Sequence, residues 1–221
     1  MKKNKLVIFG VTELAQLAYF YFTHDSDYEV VGFTLDKAYI EQDTFFDLPV
    51  VPYESVQEYF PPSEYSMYIA IGYTNLSELR RIRYYDAKAK GYTLASYVSS
   101  KSTTWPGLKV GDNTFIMEDN TIMPFCEIGS NILIFVNNIL SHHTVFKDHI
   151  TITSHCAIGG NSICEEQTFF GLNCTTRSNL NIGKGAIIGA AANVLNHVDE
   201  YAMMLGNPAK KAEKDAREVK I

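Results

Sequence analysis

Two adjacent histidines, His142 and His143, lie in a stretch that also holds His149 and His155, so four of the chain's six histidines fall within residues 142–155. A neutral imidazole, with a reference pKa of about 6.5, can take a proton from an incoming nucleophile such as an amine near neutral pH. His142 and His143 are therefore the first candidates for a general base. The same rings could instead be solvated side chains, or metal ligands. A metal site needs three convergent donors, and the spacings here do not supply them. The four cysteines, Cys126, Cys156, Cys164 and Cys174, form no CxxC pair and show no zinc-like spacing to histidine. They read as reduced thiols.

The element that must carry these histidines is a repeat. From Val110, every sixth residue is Val110, Ile116, Ile122, Ile128, Ile134, Leu140, Phe146, Ile152, Ile158, Cys164, Phe170, Thr176, Ile182, Ile188 and Val194, and only Thr176 is not apolar. Fifteen hits in one register fit neither a helix stripe at 3.6 nor strand alternation at 2. A six-residue period predicts a β-helix in which three short strands make one triangular coil. Val110, Ile128, Phe146, Cys164 and Ile182 should then stack as an inward column, about 4.8 Å apart. A small residue usually precedes each large one by two places (Thr114, Cys126, Asn138, Cys156, Cys174, Ala186), which puts these cysteines inside the coils. Glycine follows the large residue at positions such as Gly111, Gly129, Gly159 and Gly171, where a missing Cβ suits a tight corner. His142 and His143 come two and three places after Leu140, at a corner where side chains can leave the wall. His149 and His155 are six apart, hence on different sides of the triangle.

The first third follows other rules. Lys5–Phe9 reads as a strand ending at Gly10, Glu13–Thr23 as a helix, and Glu29–Thr34 as a strand with Asp36 just beyond it, a βαβ opening. Met67–Ile71 before Gly72 reads as a further strand, Leu76–Lys90 as a helix, Tyr92–Val98 as a strand, and Asp47–Pro62 as a connection. The first turn has one glycine, not GxGxxG, which removes a dinucleotide oxidoreductase. Such a turn can hold a nucleotide diphosphate at the helix N-terminus, or be plain turn chemistry. The predicted fold class is an α/β N-terminal Rossmann-like domain (residues 1–98), a linker (99–109), a C-terminal left-handed parallel β-helix of hexapeptide repeats (110–200), and a terminal turn and tail (201–221).

Charge narrows the partners. Net charge is −6, and no basic run goes beyond Lys210–Lys211, so nucleic acid is not an expected partner. No stretch reaches membrane-spanning length, and the apolar run after the basic start MKKNKLVIFG is too short for a signal sequence. No membrane insertion and a cytoplasmic location are the expectations.

Over nearly its whole length the chain resembles the bacterial nucleotide-sugar N-acetyltransferases that act on 4-amino sugars, the bacillosamine and perosamine type, within the hexapeptide acyltransferases. The resemblance rests on strand–Gly10–helix, Ala70–Ile71–Gly72, Ser141–His142, Phe170–Gly171–Leu172–Asn173, Ile188–Gly189–Ala190–Ala191–Ala192 and Gly206–Asn207–Pro208–Ala209–Lys210. It implies a homotrimer in polysaccharide or glycan biosynthesis that moves an acetyl group from acetyl-CoA, its co-substrate, to a sugar amine by direct base-assisted attack, with no metal. It implies nucleotide-sugar contacts at Gly10, Thr12, Glu13, Leu14, Asp36 and Gly72, acetyl-CoA contacts at Thr151, Gly171, Leu172, Gly189 and Ala190, and His142 as the base. Two positions depart from the family pattern. The residue after the base, usually acidic, is His143, and a second family histidine aligns near Thr151, leaving His149 or a hydroxyl in its place. Trimeric zinc hydratases of the γ-carbonic anhydrase type share the β-helix, but their His-x4-His pair is missing here. Transfer to a sugar hydroxyl, as in sialic-acid O-acetyltransferases, and a noncatalytic nucleotide-sugar-binding trimeric scaffold stay open as alternatives.

Overall fold

From Lys109 to Val194 the chain is built of fifteen strands of two residues, each ending on one of the every-sixth residues. Residues 4–219 are described in this computed structural model. Each strand pairs in parallel with the strand eighteen residues away, as Val110 with Ile128, Ile128 with Phe146, Phe146 with Cys164, and Cys164 with Ile182. The strands gather into three walls. Together they fit a left-handed β-helix, and the inward residues form one buried cluster. Thr176, the polar exception, is buried as well.

Small inner residues do more than leave room. Asn138 accepts the Cys156 N–H at 2.7 Å, and Asn120 accepts the Asn138 N–H at 3.0 Å. Ser162 accepts the Leu180 N–H at 3.1 Å. A buried polar side chain is stable only with a partner, and here the next coil provides it.

The corners are built differently from expectation. From Asn113 to Ala191 every sixth residue has φ between +52° and +68°. Most are Asn, Asp or His, the non-glycine residues that best tolerate the left-handed region. His143, His149 and His155 all belong to this column, so their clustering reflects backbone geometry. The glycines after the inward residues have another purpose. A Cβ on Gly111 would come within 2.6 Å of the Gly129 carbonyl carbon, and one on Gly171 within 2.7 Å of the Ala190 nitrogen. They allow close stacking of coils, and the left-handed bend falls two residues later.

The chain divides into two units. The second joins the β-helix to Tyr73–Glu78, which lies along one wall: Tyr73 packs on Phe169, Leu76 clusters with Ile187, and Gln167 Nε2 donates to the Leu76 carbonyl at 3.1 Å. Residues 99–107 do not merely link, since Ser99 N–H bonds to Ile116 O and Thr103 bridges Thr121.

The first unit, the described residues to Gly72 with Leu79–Tyr97, holds β1 (Asn4–Phe9), α1 (Glu13–His24), β2 (Tyr28–Leu35), β3 (Thr44–Phe45), β4 (Leu48–Pro52), α2 (Val56–Tyr59) and β5 (Ser66–Ile69), and most of α3 (Glu78–Ala89). Its sheet order is β3-β4-β2-β1-β5, parallel apart from the β3–β4 pair. Strand β4 falls inside the expected connection. The expected strand over Tyr92–Val98 shrinks to a Leu94–Met67 bridge and the two residues Tyr97–Val98. At the other end, the short helix expected within Glu213–Lys220 is one turn, Ala216–Glu218, and Lys220 lies outside the described residues.

His155 tests the corner column. A left-handed β-branched residue costs about 1–2 kcal/mol, and each kcal/mol shifts Tm by about 2–4 °C in a chain of this size. His155→Val should melt roughly 2–8 °C below the parent by circular dichroism, while His155→Asn should melt with it. Equal melting of the valine and asparagine variants would mean that the corner does not impose this conformation.

Candidate functional site

His142 and His143 turn the chain between the strands Ile139–Leu140 and Val145–Phe146. Leu140 anchors one end inside the coil, and buried Thr144 anchors the other, its hydroxyl donating to Gly159 O at 3.3 Å. Across the corner, His143 N–H reaches Pro124 O at 3.3 Å, and His142 O accepts Asn161 N–H at 3.0 Å. The backbone is thus tied to the coil before and the coil after. Both imidazoles are exposed.

The two rings meet edge to face, with their Nδ1 atoms 3.1 Å apart. One Nδ1 must carry hydrogen and the other a lone pair. When His142 Nδ1–H donates to His143, the His142 Nε2 lone pair is left for a proton. On its far side the His142 ring lies against Gly160, where a Cβ would come within 3.0 Å of Cε1 and 3.1 Å of Nε2. The Phe125 ring lies 4.6 Å from that of His143. Asp148 is engaged elsewhere, accepting the Ser130 N–H at 2.7 Å.

The other histidines have structural partners or places. His149 is buried, its Nδ1 2.8 Å from Asn131 Nδ2, in a ladder that Asn113 continues. It cannot stand in for a ring that approaches a ligand. His197 accepts Asn181 N–H, and His24 bonds the Phe20 carbonyl. Among the described residues no group of three His, Cys, Asp or Glu could hold a metal ion.

The residues expected along the acyl donor divide. Gly171–Leu172 and Gly189–Ala190 stand one above the other at a corner, with Leu172 and Ala190 exposed. That corner follows a different wall from the one that leads into His142, so within this chain the two groups are separate. Thr151 joins neither. It is buried, with its hydroxyl 3.4 Å from that of Ser77 beneath Tyr73–Glu78.

The first unit contains a cleft of about 600 Å³ lined by Gly10, Thr12, Asp36 and Gly72. Gly10 has φ +115°, and a Cβ there would stand 3.0 Å from Ala70 O, so the open turn requires glycine. Thr12 precedes the first turn of α1, whose N–H groups favour an anion. Glu13 and Leu14, expected here, are not among the lining residues. Arg83, which the sequence reading missed, lines the cleft and bonds Asp36 at 2.5 Å while lying over the rings of Phe9 and Tyr53. Arg80 donates to Gly72 O at 3.0 Å from full burial, which lowers its pKa to about 10.

No family model matches the chain. Over 99 residues, 45% of its length, it is 28% identical to an acyl-[acyl-carrier-protein]–UDP-N-acetylglucosamine O-acyltransferase from Sinorhizobium fredii, of which it spans only 30%. In structure it is similar to the acetyltransferase domain of PglB from Neisseria gonorrhoeae, at TM-score 0.84 and 19% identity over 95% of this chain and 100% of that one. It is also similar to PerB from Caulobacter crescentus, solved with CoA and GDP-perosamine, at TM-score 0.81 and 18% identity over 94% and 97%. The chain shares the fold of these two proteins over nearly its whole length.

Proposed function

We propose that this protein transfers an acetyl group from acetyl-CoA to the amine of a nucleotide-linked amino sugar. The observation that carries the reading is the exposed pair of imidazoles, joined through Nδ1, at a corner of a β-helix. Support comes from the shared fold: the PglB domain is described in complex with acetyl coenzyme A, and PerB in complex with CoA and GDP-perosamine. In this reading residues 1–98 form a Rossmann-like nucleotide-sugar domain using the cleft at Gly10, Thr12, Asp36 and Gly72, residues 110–200 bind acyl-CoA near Gly171, Leu172, Gly189 and Ala190, and the enzyme is a cytoplasmic homotrimer. A trimer accounts for base and donor residues standing at separate corners, because a neighbouring copy can bring its own corner to the site.

The amine arrives as ammonium and gives its proton to His142 Nε2. Its freed lone pair attacks the thioester carbonyl carbon. The tetrahedral oxyanion collapses, the C–S bond breaks, and the CoA thiolate takes a proton as the amide forms. Holding the reactants together supplies much of the acceleration. A cysteinyl acyl-enzyme does not fit, since all four cysteines are buried, and burial pushes the Cys164 thiol well above its ordinary range.

Transfer to a hydroxyl is a second reading, favoured by the partial likeness to an O-acyltransferase. Acetyl-CoA-dependent release of thiol, measured with UDP-, GDP- and dTDP-linked 4-amino sugars and their 4-hydroxy counterparts, separates amine transfer, hydroxyl transfer and a noncatalytic scaffold. His142→Ala should lower turnover by roughly two to four orders of magnitude and leave ligand affinity intact; near-normal turnover would remove His142 from the role. His143→Asp offers the base a negative partner, which favours its protonated form. The acid limb of the kcat profile should therefore move to higher pH by roughly one unit, and an unmoved limb would show that His143 does not touch the titration of the base.

A further inference from the structure

Phe125 is the anomaly of the corner column. It has φ +68° and is 73% exposed, whereas most other members of that column are Asn, Asp or His. A large aromatic residue there bears the cost of the left-handed conformation and recovers little of it by burial. Strain kept without a packing return is a reason to look for a ligand. Beside Phe125 lies a cavity of about 340 Å³, which Trp105, Pro106, Pro124, Lys109 and Glu127 also line. That volume is near the lower end of ligand pockets, about 300–1,000 Å³. Trp105 is 58% exposed, so the cavity offers two uncovered aromatic rings.

The surroundings limit the occupant. Lys109 Nζ and Glu127 Oε1 are paired at 2.7 Å, so the cation at this rim is already matched by a carboxylate and does not call for a phosphate. Aromatic faces with a polar, charge-neutral rim suit an amphipathic ring that has one C–H face and hydroxyls on its edge. Position favours the same ligand. Phe125 touches His143, which is bonded to His142, so this ledge reaches the proposed base through those two contacts. We infer that Trp105 and Phe125 form the subsite for the hexose ring of the acceptor, a binding role that rests on the transfer reading above.

Trp105 is the chain's one tryptophan, so its emission reports on the ledge alone. The intact protein is titrated with nucleotide-linked 4-amino hexoses, with the matching nucleoside diphosphates, and with CoA. Emission should change with the hexose-bearing ligand and with neither of the others. Phe125→Asn, which relieves the left-handed strain, should melt at or above the parent temperature while raising the acceptor KM about tenfold and leaving the acetyl-CoA KM unchanged. An equal response to nucleoside diphosphate or CoA, or an unchanged acceptor KM in Phe125→Asn, overturns the subsite. Turnover with silent emission sinks the ledge and keeps the transfer reading. A hexose-specific response without turnover keeps the ledge and sinks the transfer reading.

Discussion

Hydrogen bonding from coil to coil in strict register is the interaction on which everything else in the β-helix depends. Strands of two residues have no stability of their own, and each exists because strands eighteen residues away hold it, on both sides everywhere but at the ends of the walls. Gly129 N–H bonds Phe146 O, and Lys147 N–H bonds Cys164 O, at 2.8 and 2.9 Å. The corners join the same system, with Asn161 N–H on His142 O and Gln167 N–H on Asp148 O. A slip of one residue would exchange inside for outside along a whole wall, so each coil fixes the facing of the next.

That constraint explains which parts of the fold could be read from residue order. The inward positions are legible because burial admits only a narrow set of side chains, and even Thr176 obeys it by being buried. The corner column was equally periodic, with Asn113, Asn131, Asn137, Asn161, Asn173 and Asn179 all in place, but Phe125, Gln167 and the histidines interrupt its pattern. Without the left-handed bend as a reason, four nearby histidines look like chemistry. With it, only His142 stands at a position where histidine is not explained by the backbone. Strand β4 was missed because Pro49 and Pro52 read as loop signals, although a strand near the side of a sheet tolerates them.

The candidate sites were legible to different depths for the same reason. Gly10, Asp36 and Gly72 follow strand ends, so their place at the cleft follows from local order. Arg83 reaches that cleft from a helix 47 positions after Asp36 in sequence, and nothing local marks it. Thr151 is an outward residue of its strand, and outward residues of a β-helix are ordinarily solvated. Its burial comes from Ser77, 74 positions earlier, a contact that no period announces.

That the residue after His142 is a histidine and not an acid decides what this neighbour can supply. A carboxylate can only accept the Nδ1–H and stabilises the imidazolium, while a neutral His143 can accept or donate at Nδ1 and adds no negative charge. The geometry of the corner permits this exchange. At position 143 the backbone is left-handed, and Asp, Asn and His all tolerate it, so the identity of the partner can vary while the Nδ1 contact is kept. The coil geometry therefore holds the Nδ1 contact, and a carboxylate at 143 would fix His142 as the donor where a neutral histidine leaves either ring able to donate.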